Sequence, residues 1–428
     1  MRSTLPLTLS LLALSPPTSA QDEPAGRAFL AAKILTCAEE GPEVIDHGVL
    51  LVALGQIEAV GRADELAVPD DYELVDLEDS WILPGMIDLH CHVGGGLEYN
   101  EGIYLVNPGL RASAIVVPDN AWLARGLAGG VTSVLHIPGS GTNMGGQGVL
   151  MKTGSPRYED NLIRAVGSLK LAQAGNPERF AFGPGRAFQN WNTRRTFERG
   201  AAYARAWEEA EATGGEPPAL DPALEVFRHL AAGTAQVSAH TQMYQVSLMT
   251  VSMVARELGL PVFIDHGTFD SHRMAADAEQ AGVPAILGPR MIDGNERWYI
   301  DWSGSNPERI EGIAAAYQAA GHTEIGFNTD CIPHPLFAGP HQEELALQAA
   351  MAVRYGFDDS TMDAVRGLTI VPARAAGIDD RVGSLEEEKD ADFLIMDGHP
   401  ADPRNPVLQV WIEGELVYDA EATEGRPY

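Results

Sequence analysis

Strand and helix signals alternate along residues 84–377, and this predicts an α/β fold: a (β/α)8 TIM barrel carrying a composite β-sandwich made from the two ends of the chain. Three observations support that reading. Eight short apolar runs in the stretch are separated by segments of helical length and period. The stretch holds about 290 residues, where roughly 250 is typical of such barrels. Residues 27–80 and the segment from 381 onward instead read as short strands with closely spaced turns and no long helix. The resulting division is a leader at 1–20, a composite sandwich from 21–83 plus 378–428, and a barrel over 84–377.

The leader is read from Arg2, the apolar run Leu5 to Leu14 and the small residues Thr18-Ser19-Ala20. An apolar run of about ten residues is too short for a membrane-spanning helix, which needs about 20. A cleaved signal peptide and a periplasmic or secreted enzyme are therefore expected. No cysteine follows the cleavage point, so no lipid anchor should remain. The three cysteines, Cys37, Cys91 and Cys331, are an odd number and do not form a disulfide framework.

The N-terminal strands are AFLAAKILTC, GVLLVALGQIEAVG with a Gly-Gln turn, and DYELVDLEDS. ADFLIMDG and PVLQVWIEGELVYD, with Glu413-Gly414 at a tight turn, repeat that grammar at the other end. Barrel strands are expected at 84–91, 131–136, 147–152, 167–172, 234–240, 261–266, 283–288 and 323–330. Helices are expected at 119–128, 157–166, 196–212, 243–258, 271–281, 307–320 and 340–355. The helix 243–258 stops at Gly259 before Pro261. No helix fits between the second and third strands, where PGSGTNMGGQG supplies only a loop; it lacks the Gly-Lys-Ser/Thr ending of a phosphate loop.

The formal charge of −31, from 60 acidic against 29 basic residues, disfavours nucleic acid or an anionic membrane as partner. A small-molecule or short-peptide substrate remains, and a homo-oligomer is compatible with the sequence.

Active sites of such barrels gather at the C-terminal strand ends. His90 and His92 end the first strand in LPGMIDLHCHVGG; residues i and i+2 share a strand face, so two imidazoles leave side by side. His136 ends the second strand, Lys170 lies in the fourth, His240 ends the fifth, His266 the sixth and Asp330 the eighth. One such histidine means little, but this many converging with an aspartate suit Zn²⁺ or a similar divalent ion. Arg186 to Arg195 holds three arginines and two aromatics in an acidic chain. On a loop at the active-site end, Arg186, Arg194 and Arg195 would clamp a substrate carboxylate, with His136 also facing substrate. His334, just past Asp330, is either a supporting residue or simply loop.

LPGMIDLHCH, VSAH, IDHG and NTD, in this order, resemble the metal signature of the amidohydrolase superfamily, and the similarity spans nearly the whole mature chain. GLPVFIDHG and AGVPAILGP most resemble its imidazolonepropionase-related branch, which includes Xaa-Pro dipeptidases. The resemblance implies metal-dependent hydrolysis of an amide or peptide C–N bond, with a dipeptide or N-acyl amino acid as substrate. It implies His90, His92 and Asp330 at one metal, His240 and His266 at another, and Lys170, carboxylated, between them. A metal-activated hydroxide would attack, and Asp330 would act as general acid/base. Lys152 is the rival for the bridging lysine. Where relatives carry Gly-Glu-Asn-Pro this chain has Ala174-Gly175-Asn176-Pro177, so a glutamate ligand is missing. One alternative is a mononuclear cyclic-amide hydrolase or deaminase using His90, His92, His240 and Asp330, with His266 holding the nucleophile. Another is a non-catalytic binding protein on the same barrel.

Overall fold

A computed structural model describes residues 24–95, 100–173, 176–179, 183, 185–293, 311–332 and 340–423. The expected leader, Ala174-Gly175 and His334 lie outside the described residues. Two eight-stranded sheets organise the chain.

The first sheet joins the two chain ends. Its strands are β1 (Gly26–Leu35), β2 (Val44–Ala53), β3 (Gln56–Arg62), β4 (Tyr72–Asp76) and β5 (Trp81–Pro84), with the C-terminal β16 (Phe393–Met396), β17 (Val407–Ile412) and β18 (Glu415–Asp419). Their order is β18-β17-β16-β5-β1-β2-β3, with β4 also on β1. Leu54 and Gly55 between β2 and β3, and Glu413 and Gly414 between β17 and β18, all have positive φ. That matches the tight hairpin turns whose twist suits antiparallel strands. The two ends meet where β16 runs antiparallel to β5, pairing Leu394 with Leu83 and Ile395 with Ile82. The composite unit is thus one mixed sheet. The ten-residue β1 makes this possible by pairing in parallel with β4 along its first half and with β5 along its second. Phe29, Ile34, Leu50, Ile82, Phe393 and Trp411 fill a core of this sheet.

The barrel strands are β6 (Met86–Cys91), β7 (Val131–His136), β8 (Met144–Lys152), β9 (Leu162–Ala172), β10 (Gln236–Thr241), β11 (Val262–His266), β12 (Ala285–Leu287) and β15 (Ile325–Phe327). They neighbour one another in that order. The short ribbon strands β13 (Ile292–Asp293) and β14 (Glu311–Gly312) lie outside it. The seam between β15 and β6 is narrowed by a bridge between Cys91 and Cys331, where the His92 N–H donates to the Cys331 carbonyl at 2.9 Å. Gly85 is the hinge where the chain leaves the terminal sheet for the barrel, and any side chain there would overlap Thr132.

The alternation breaks once. β8 runs antiparallel to both β7 and β9. A parallel crossover needs about a dozen residues, and the glycine-rich link after His136 is shorter than that. The helix expected at 157–166 is also corrected. Only Tyr158–Asn161 is helical, and β9 begins at Leu162. The place of a covering helix is taken by the segment after β6. Bridges join Val106 to Met144 and Arg111 to Gln147, and the Gln147 N–H donates to the Leu110 carbonyl at 2.7 Å.

Lys152 ties the two sheets together. Its ammonium, from the end of β8, lies 2.7 Å from Asp390, 3.0 Å from Asp392 and 2.9 Å from Glu413. Burial opposes its charge, but the carboxylates, Asp392 first, more than offset this and raise its pKa. Lys152 is therefore engaged at the sheet junction, which removes it as a metal-bridging lysine. Removing one partner of a buried ion cluster strands the others and costs about 3–5 kcal/mol. Lys152→Met should lower unfolding free energy by about that amount in urea titration while leaving the metal content of the folded fraction unchanged.

Candidate metal centre

His90 and His92 emerge together at the end of β6, as their spacing requires. The His90 and His92 Nε2 atoms are 3.3 Å apart, and Asp330 Oδ1 lies 3.1 Å from the first and 3.3 Å from the second. Tetrahedral zinc with bonds of about 2.0–2.1 Å places its ligand atoms roughly 3.3–3.4 Å apart. These three donors stand at that spacing.

His240 and His266 complete the cluster. The His266 ring centroid is 4.4 Å from that of His90 and 4.2 Å from that of His240. His240 and Asp265 are register partners across β10 and β11, so both side chains take the same face. His266, the next residue, should face the opposite way. Its φ of 72° breaks the strand alternation and lets it join the cluster. Asp330 has φ of 46° beyond the end of β15. Left-handed backbone costs about 1–2 kcal/mol for a residue with a Cβ, so two such residues mark a strained rim.

Hydrogen bonds select the tautomers. His92 Nδ1 donates to the Ile137 carbonyl and His266 Nδ1 to the Gly288 carbonyl, each at 2.8 Å. A carbonyl only accepts, so both rings carry their proton on Nδ1 and present a bare Nε2. The nitrogens of His240 and the Nε2 of His266 are buried without a hydrogen-bond partner among the described residues. Buried polar atoms are normally satisfied, so orphaned imidazole nitrogens beside a carboxylate fit a divalent ion. Burial lowers the pKa of His92, of His240 well below its usual value, and of His266 to about 4. Burial works to raise Asp330, but His90 first and then His92, both beside it, hold it well below the usual carboxylate range. Burial works to lower His90 as well, but Asp265 and Asp330 beside it raise its pKa, so a metal there would displace a proton. The other three imidazoles and the ionised carboxylate already stand in the forms a metal takes.

Lys170 on β9 is fully buried, with Nζ 2.9 Å from Asp265 Oδ2 and 3.5 Å from His90 Nε2. Asp265 also lies 2.5 Å from His90 Nδ1. The sequence reading missed Asp265 because strict alternation through IDHG turns it away from the barrel interior once His266 faces inward. Only the positive φ of His266 brings neighbouring residues to one site.

His136 is buried outside this cluster. Its Nδ1 accepts the Gly94 N–H at 3.1 Å, and it lines a small cavity of about 50 Å³ with Asn100, Arg111 and Pro138. The arginine segment lies on a helix, Arg186–Thr213, not a loop. The buried face of that helix includes Gln189, Thr193, Thr196 and Phe197. Arg186 pairs with Glu178, Arg194 pairs with Glu257 at 2.6 Å, and Arg195 stacks on Trp191. Helical geometry thus corrects the proposed clamp by spending Arg194 and Arg195 on surface partners.

A family model described as the amidohydrolase family matches residues 248–417. The chain is 24% identical over 423 residues to amidohydrolase tasK of Hapsidospora irregularis, covering 89% of this chain but 41% of that protein. It is 26% identical over 432 residues to imidazolonepropionase of Pseudomonas putida, covering 90% of this chain and 94% of that enzyme. A crystal structure of an amidohydrolase from Thermotoga maritima MSB8 superposes with a TM-score of 0.76 at 28% identity, covering 92% of this chain and 99% of that one. An Xaa-Pro dipeptidase with bound methionine shares the fold at a TM-score of 0.55 and 15% identity, over 92% and 100%.

Arg194→Ala and Arg195→Ala should change KM for any hydrolysed substrate by less than about twofold in steady-state assays, as surface pairs contribute little.

Proposed function

We propose that the chain is an amidohydrolase that hydrolyses the C–N bond of a dipeptide or N-acyl amino acid. The convergence of His90 Nε2, His92 Nε2 and Asp330 Oδ1 within 3.1–3.3 Å carries this reading. His90, His92 and Asp330 would hold one divalent ion, zinc by its donor set, and His240 and His266 a second, with Lys170 placed between them. Such an ion supplies Lewis acidity and lowers the pKa of water from 15.7 to about 7.

The protein's own residues do the rest. Asp330 keeps 27% of its side chain exposed, whereas His90 and His92 keep 1% and 3%. It can therefore meet both water and substrate while held by the histidines. Ionised, Asp330 accepts a proton from the attacking water and returns it to the departing nitrogen. The carbonyls of Ile137 and Gly288 orient the rings of His92 and His266, so their Nε2 atoms are aimed in advance of the reaction. The N-terminal leader would place this activity in the periplasm or outside the cell.

A second reading has its own support. Lys170 is paired with Asp265, an arrangement that suits an unmodified ammonium and a single metal. Together with the full-length likeness to imidazolonepropionase, this favours a mononuclear cyclic-amide hydrolase.

Elemental analysis combined with a screen of dipeptides, N-acyl amino acids and cyclic amides separates the two readings. The first expects about two metals per chain and turnover of linear amides. Lys170→Ala should then leave one metal or fewer and abolish hydrolysis. Asp330→Asn should cut kcat by about 10²–10⁴, the usual worth of general acid–base catalysis. About one metal per chain with cyclic amides turned over establishes the second reading. Full turnover after exhaustive chelation would overturn both.

A further inference from the structure

Asp265 has no role in the reading above, yet it is fully buried and touches two members of the cluster. Its Oδ1 lies 2.5 Å from His90 Nδ1, and its Oδ2 takes a hydrogen bond from Lys170 Nζ at 2.9 Å. Three barrel strands, β6, β9 and β11, thus meet on one carboxylate.

The opposite edge of the His90 ring looks elsewhere. Its Nε2 faces His92 Nε2 and Asp330 Oδ1, with Lys170 Nζ at 3.5 Å. The Asp265 carboxylate at Nδ1 requires a donor there, which leaves Nε2 as the nitrogen that can offer a lone pair to an ion held with His92 and Asp330. Asp265 thereby selects the tautomer with the proton on Nδ1. His92 and His266 reach that tautomer through backbone carbonyls, so His90 alone of the three depends on a charged side chain.

We propose that Asp265 is the positioning residue of the metal centre, locking the His90 tautomer and ring orientation so that Nε2 is presented toward the ion, and holding Lys170 in the same bond network. The inference rests on the metal-dependent reading above. Asp265 lies near enough to His90 and His266 to ligate, but it is assigned a supporting place because its Oδ1 meets His90 at Nδ1, the nitrogen opposite His92 and Asp330, and its Oδ2 meets Lys170. Carboxylates behind metal-binding imidazoles typically contribute 10–100-fold in metal affinity.

Two readouts test it. In the metal-free protein, histidine-selective ¹⁵N NMR reads the His90 tautomer directly, the signal being assigned with His90→Ala. Wild type should show an Nδ1-protonated ring, and Asp265→Ala a mixture of tautomers. Zinc titration against a competing chelator should then show about a 10–100-fold weaker dissociation constant for Asp265→Ala, with Asp265→Asn intermediate because its amide oxygen still accepts from Nδ1.

Asp265→Ala leaves a buried ammonium and can fail to fold. The double variant Asp265→Ala/Lys170→Met removes both charges together and carries the same tautomer readout. An unchanged tautomer in the folded double variant, or zinc affinity within twofold of wild type in folded Asp265→Asn and Asp265→Ala, overturns the proposal. So does loss of zinc binding with the His90 tautomer unaltered, because Asp265 would then be a ligand. If wild type binds no divalent ion while the tautomer still responds to Asp265, the metal-dependent reading fails and the lock on His90 stands.

Discussion

Desolvation of the charge cluster at the barrel mouth is the constraint that the rest of the structure serves. His90, His92, His240, His266, Lys170 and Asp265 are all buried. Each would cost several kcal/mol if sealed from water without a partner. The interior supplies partners from several sources: the backbone carbonyls of Ile137 and Gly288, the Asp265 carboxylate for His90 and Lys170, and the half-open Asp330. The nitrogens left over converge, and a divalent cation is the partner that their chemistry suits. The left-handed backbone at His266 and Asp330 is part of the same solution, because straight strands would aim those side chains elsewhere.

The scaffold fixes that mouth from outside. The terminal sheet is not an appended module, because β5 leads through Gly85 directly into β6, and β6 carries His90 and His92. The buried Lys152 cluster holds the far end of β8 against Asp390, Asp392 and Glu413 from the C-terminal segment. Antiparallel β8 lets the segment after His92 cover the barrel wall where a helix would otherwise pack, so a single connection serves both wall and rim.

The likeness to amidohydrolases points to hydrolysis at C–N bonds and leaves the substrate to the rim. The likeness to imidazolonepropionase runs the length of the chain, while the likeness to Xaa-Pro dipeptidases is one of fold. Barrels of this kind change substrate by changing loops over a fixed strand-end constellation. Lys170 and its partner Asp265 therefore weigh more in choosing between one metal and two than any whole-chain similarity.

Residue order made legible eight barrel strands, a β unit built from both chain ends, and His90, His92, Lys170, His240, His266 and Asp330 as candidate site residues. The strands follow from local periodicity, and the histidines and Asp330 from the rule that strand ends carry function, while Lys170 rests on the family resemblance. Tertiary structure alone decided three matters. The direction of β8 depended on how far a short loop can reach across the barrel. Arg194 and Arg195 meet surface partners because their segment is a helix and not a loop. Asp265 entered the site because one backbone angle at His266 overrode strand alternation. That angle runs against the period-two alternation by which a strand is read from its residues.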